Sequence, residues 1–108
     1  MITDNADLHR YEIHVEGELA GFVQYRRRPG LIAFIHTEID TRFEGQGLGS
    51  KLIASVLDAA RESGTAVLPF CPFVNGYIER HPEYASLVPR AYWSEFNLHD
   101  ADPPAGPG

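Results

Sequence analysis

Between residues 48 and 62 the apolar side chains recur at helical spacing. Leu48, Leu52, Ile53, Val56, Leu57 and Ala60 form one stripe, with Lys51, Ser55, Asp58, Arg61 and Glu62 opposite it. A helix this amphipathic must lay its stripe on another layer. Gly64 supplies a C-terminal stop. Just ahead of the helix, Gly45, Gly47 and Gly49 alternate through Glu44-Gly45-Gln46-Gly47-Leu48-Gly49 and interrupt every periodic pattern. The layer that receives the helix has to come from the segments on either side.

Those segments read as strands. Tyr11 to Val15 alternates apolar and polar positions, Glu16-Gly17-Glu18 turns the chain, and Leu19 to Arg27 runs back. Arg28-Pro29-Gly30 makes a second turn, so two consecutive hairpins give an antiparallel meander. Leu31 to Ile39 begins with a wholly apolar run and is expected as the central strand, with His36 and Glu38 on one face and Thr37 and Ile39 on the other. Thr65 to Phe70 reads as a buried strand, Cys71-Pro72 opens a second helix from about Phe73 to Arg80, and Pro82 breaks it ahead of a short helix around Glu83 to Val88. With 108 residues there is room for one core only. The expected organisation is a flexible N-terminus over 1–9, one α/β (α+β) domain over 10–97 with a twisted, mainly antiparallel sheet flanked by helices, and a flexible tail over 98–108, where Pro and Gly crowd together.

Composition narrows the function classes. A formal charge of -6 repels a phosphate polyanion, so neither nucleic acid nor an anionic membrane is an expected partner. Cys71 is the single cysteine, which excludes an intrachain disulfide and points to a reducing, cytoplasmic setting. The five histidines show no metal-ligand spacing, so no metal is expected. Oligomeric state has no signature in the sequence.

A glycine-rich connection from a strand into a helix aims free backbone N–H groups at one spot, where the helix dipole adds positive charge. Glycine lets a phosphate reach the main chain. The turn is therefore a candidate pyrophosphate cradle, with a purely structural tight turn as the alternative. It is not a P-loop, since no Gly-Lys-Ser/Thr follows, and not a dinucleotide fingerprint, since the strands upstream are antiparallel.

The meander, the turn and the long helix together resemble the GNAT superfamily of acetyl-CoA-dependent N-acetyltransferases. His36-Thr37-Glu38-Ile39, the block from Glu44 to Leu52, Leu68 to Val74 and Tyr77 to Tyr84 are similar to its minimal branch, typified by N-acetyltransferase domain-containing protein 1. The resemblance implies that Gly45, Gln46, Gly47, Leu48, Gly49 and Ser50 surround the coenzyme A pyrophosphate through the main chain. It also implies that pantetheine lies along Thr37, Glu38 and Ile39, pairing as an added strand does. Glu44 stands where the family's Gln or Arg is usual, which leaves the backbone amides as the phosphate ligands. Full-length members carry further N-terminal helices and C-terminal strands that shape the acceptor pocket, and this chain is short of both. The function implied is acetyl transfer to the amine of a small molecule or an exposed protein lysine. A non-catalytic acyl-CoA-binding or sensing module is the alternative, and a small interaction domain with a structural turn is a second.

Acetyl transfer needs a neutral amine, stabilisation of an oxyanion and a proton for the departing thiolate. His36 and Glu38 are the candidate bases. Cys71, at the start of a helix where the dipole favours negative charge, is a candidate catalytic residue, lining the acetyl end in direct transfer or taking the acetyl group as an acyl-cysteine, against the alternative of an inert core cysteine. Tyr77 is a minor candidate proton donor. Arg26-Arg27-Arg28 reads as a solvated turn with a secondary attraction for phosphate.

Overall fold

The computed structural model describes residues 1–98. Five strands, β1 (Ile2–Asn5), β2 (Arg10–Val15), β3 (Glu18–Arg28), β4 (Leu31–Ile39) and β5 (Ala66–Pro69), lie in the order β1-β2-β3-β4-β5. The first four pair antiparallel, while β4 and β5 are parallel and joined through the helix α1 (Leu48–Glu62). The helix α2 (Pro72–Arg80) follows β5, then 3₁₀ turns over Pro82–Leu87 and Arg90–Tyr92. This is the expected mixed fold, with the turns at Glu16-Gly17 and Pro29-Gly30 where the sequence puts them.

The stripe of α1 is buried as its spacing requires: Leu52, Ile53 and Leu57 are fully enclosed, against Val23, Ile32 and Phe34 of the sheet and Val74 and Ile78 of α2. The 3₁₀ turn after α2 is fastened to α1 by Tyr84, whose hydroxyl donates to Asp58 Oδ1 at 2.8 Å. That hydrogen bond, then burial, pushes the Tyr84 phenol up to about 12. A raised tyrosine stabilises the fold while the hydroxyl keeps its proton. The unfolded chain gives up that proton near pH 10 and the native state holds it to about 12, so stability should fall as pH rises through that interval. Thermal melts from pH 8 to 11.5 should show the decline, and Tyr84→Phe should flatten part of it; an unchanged slope in the variant would refute the assignment.

Three expectations are corrected. The N-terminal residues are not loose. Ile2 sits opposite Ile13 and packs on the core, the Met1 amine donates to the His14 carbonyl at 2.9 Å, and Asn5 Nδ2 donates to the buried Glu12 at 3.0 Å. Second, β3 is the middle strand, because β1 extends the sheet on the far side; β4 is covered on both edges only over Leu31–Phe34. Third, Leu98, placed at the start of the tail, is buried with Phe96, while Trp93 Nε1 donates to the Val88 carbonyl at 2.8 Å. The rest of the expected tail, 99–108, lies outside the described residues. Among the described residues no helix is long and apolar enough to cross a membrane.

Candidate functional site

Strands β4 and β5 separate where the site residues cluster. Their parallel register runs from Leu31↔Ala66 to Phe34↔Pro69 and stops. Pro69 has no N–H to continue a ladder, and Cys71 N instead donates to the Phe34 carbonyl at 2.8 Å as the chain turns into α2. Beyond that point β4 keeps its partner on one side only, with Thr37 opposite Val23 and Ile39 opposite Gly21. Among the described residues, Ile35–Ile39 therefore carries an unpaired backbone edge.

A bulge decides which side chains face that gap. Gln24 pairs with His36 but Tyr25 pairs with Phe34, so Ile35 is an extra residue and the alternation shifts phase there. Ile32 and Phe34 are buried in the core before the bulge, and after it the half-buried Thr37 and Ile39 take the face of their partners Val23 and Gly21. His36 and Glu38 then share the exposed face, where His36 Nε2 and Glu38 Oε2 lie 2.8 Å apart. On the other side Thr37 Oγ1 and Cys71 Sγ are 3.2 Å apart, with Cys71 only 3% exposed. His36 and Glu38 share a face as their spacing implies, and Cys71 stands at the N-cap position of α2 with Pro72 after it. The two groups of candidates thus sit on opposite faces of one strand.

The glycine turn forms the other end of the gap. Gly45 and Gly47 both have positive φ, 85° and 74°, a region that side chains disfavour, and a Cβ on Gly47 would meet nothing within 4 Å. Gly47 is the N-cap of α1; Lys51 N donates to its carbonyl at 3.1 Å, and the amides of Leu48, Gly49 and Ser50 have no acceptor among the described residues. Gln46 and Ser50 are exposed, Leu48 is half-buried and Gly49 is covered. The cover on Gly49 is Phe73 of α2, whose ring tip would stand 2.6 Å from a Cβ there. The N-termini of α1 and α2 meet at this contact.

One residue of α2 has no signature in the sequence. Asn75, one turn past Cys71, donates through Nδ2 to Glu79 at 3.3 Å, but its Oδ1 is buried without a donor among the described residues. A buried acceptor left bare is costly, and a ligand N–H would satisfy it. Nothing local distinguishes this asparagine from a helix-surface one; only the docking of α2 buries the oxygen. Tyr77 is buried and stacks on His81 at 4.1 Å, which makes it part of the core. Asp40, at the end of β4, is held below the usual carboxylate range by hydrogen bonds from Arg42.

The family model for GCN5-related N-acetyl-transferase matches residues 10–87. Among solved structures, the chain is similar to the NMR structure of a GCN5-like protein from Staphylococcus aureus, with TM-score 0.64 and 24% identity over 82% of this chain and 87% of that one. It is also similar to Ard1 from Thermoplasma volcanium, with TM-score 0.50 and 26% identity over 57% of this chain and 47% of that one. A third likeness is to ribosomal-protein-alanine N-acetyltransferase from Brucella melitensis, with TM-score 0.50 and 22% identity over 78% of this chain and 64% of that one. The chain thus spans less than two thirds of the second and third structures. No curated protein matches it.

Proposed function

Because the chain belongs to the GCN5-related N-acetyltransferase family, we propose that it binds acetyl-CoA in the gap between β4 and α2 and passes the acetyl group to an amine. The observation that carries this reading is the pair of unfilled sets of backbone donors and acceptors, the edge of Ile35–Ile39 and the α1 amides, left among the described residues. Acetyl-CoA supplies the thioester whose carbonyl carbon the amine nitrogen attacks, with loss of the thiol. Three features fit it. The amides of Leu48, Gly49 and Ser50 suit a pyrophosphate at a helix N-terminus, with Gly45, Gln46 and Gly47 forming the rim. The Thr37–Ile39 edge suits pantetheine amides, and the orphan Asn75 oxygen can accept one of their N–H groups. The four blocks named above support placement in the minimal branch of the family.

The roles of the side chains follow from their faces. Glu38 takes the proton of the incoming ammonium, with His36 holding its carboxylate through the 2.8 Å contact. The amine therefore approaches from the exposed face of β4. Cys71 and Thr37 line the opposite wall beside the acetyl end, where burial excludes water. Direct transfer needs no covalent intermediate, whereas a cysteine nucleophile would form an acyl-enzyme.

Calorimetry with acetyl-CoA and thiol release across a panel of amines test the proposal. Binding with turnover supports it; binding without turnover on any amine favours the non-catalytic module, and no binding favours a structural turn. Cys71→Ala should lower kcat by about tenfold or less and leave turnover measurable, the scale of a lost contact rather than a lost nucleophile. Complete loss with coenzyme binding preserved, together with a trapped acetyl on Cys71 by mass spectrometry, would make the cysteine the nucleophile.

A further inference from the structure

The arginine triplet plays no part in the gap. Strand alternation divides it: Arg26 lies opposite Ala33 and Arg28 opposite Leu31, whereas Arg27 is in register with Ile32, a core residue 2% exposed. Arg27 alone is thereby turned to the face that α1 covers. There it borders a cavity of about 240 Å³ between the sheet and the C-terminal half of α1, at the end of the helix away from the glycine turn. The cavity is apolar along Ile32, Val56, Ala59 and Ala60; Arg27, Tyr11, Ser63 and Thr65 supply its polar lining, with Ser63 Oγ donating to the Ala60 carbonyl at 3.3 Å and sharing a hydrogen bond with Thr65 Oγ1 at 2.8 Å.

The polar end is built to receive an anion. The Arg27 guanidinium lies 5.9 Å from the ring centre of Tyr11 and 4.9 Å from that of Tyr25. Its hydrogen bonds to Tyr11 Oη at 2.9 Å and Asp4 Oδ2 at 3.4 Å both leave from Nη2. A guanidinium has five N–H groups, so donors remain for a two-oxygen acceptor. A bare helix C-terminus would repel an anion, but this one is closed. The carbonyls of Ala59, Ala60 and Arg61 accept from Ser63 N at 3.1 Å, Thr65 N at 2.9 Å and Gly64 N at 3.2 Å. Asp4 is the competing carboxylate and holds Arg27 only at the long distance given above.

We propose that this cavity is a second ligand site, separate from the groove at β4, that takes a small carboxylic acid with a short branched or phenyl body. The carboxylate pairs with Arg27 and the Tyr11 hydroxyl, whose proton is left to donate because its oxygen accepts from Arg27, and the body lies on Ile32, Val56 and Ala59. The inference is independent of the acetyltransferase reading. Its test is an amide-shift titration of the full chain with isovalerate, phenylacetate and the neutral isostere isovaleramide. Saturable shifts are expected at Ala59, Ala60, Ser63 and Thr65, with isovaleramide about tenfold weaker or more. Arg27→Gln should weaken the acids by a similar factor, and Ala59→Leu, which fills the apolar end, should do so without touching the charge. No saturable shift with either acid in the millimolar range, shifts confined to residues 45–50, or undiminished affinity in Arg27→Gln would each overturn the proposal.

Discussion

Gly47→Val should bind acetyl-CoA about 100-fold more weakly than the parent chain, or not at all, while remaining folded. Position 47 has a φ of 74°, where a β-branched residue is strained by about 1–2 kcal/mol. The space beside it is open, so the new side chain meets no protein atom and the core is left intact. What it fills is the approach to the amides of Leu48, Gly49 and Ser50. Hydrogen bonds to charged groups contribute about 1.5–3 kcal/mol each, so losing one or two accounts for a change of that size. Calorimetry beside a thermal melt separates the two effects. Undiminished affinity in a folded variant would remove the turn from the binding site.

Phe34→Ala should cost about 3–5 kcal/mol of stability, a large part of the roughly 5–15 kcal/mol available to a domain of this kind. Phe34 is fully enclosed and is the largest such side chain among the described residues. It also stands at the last rung of the β4–β5 pairing, its carbonyl accepting from Cys71 N. Urea unfolding should show a lower midpoint, and Phe34→Leu should recover most of the loss. A change below about 1 kcal/mol would contradict its place at the centre of the core.

Much of this arrangement can be read from local pattern. The α1 stripe, the two hairpins and the glycine turn depend on spacing and turn chemistry that neighbouring residues supply, and the strand from Leu31 to Ile39 has the bounds its composition implies. What escapes local reading is set by partners far along the chain. Ile2-Thr3-Asp4-Asn5 has no strand-like apolar run, and becomes β1 through its pairing with β2 and the Asn5 contact with Glu12. The phase shift at Ile35 depends on how β3 and β4 meet, yet it is what turns Phe34 and Thr37 to the same side despite their odd spacing. Asn75 becomes a candidate only when α2 docks. Arg27 differs from Arg26 and Arg28 only through the register of β3.

The two outer strands bear on how the chain behaves in a crowd of its own copies. Sheets aggregate by adding a neighbour's backbone along a free edge, and the danger grows with the length of that edge. Here β1 and β5 are four residues each; β5 finishes in a proline that offers no donor, and β1 carries Asp4, whose charge discourages a flat approach. The longer exposed edge is the one inside the molecule, Ile35–Ile39, where α2 and the glycine turn narrow access to an extended segment. A bound thread-like ligand would close that edge too, leaving the sheet with almost no surface on which another chain could template.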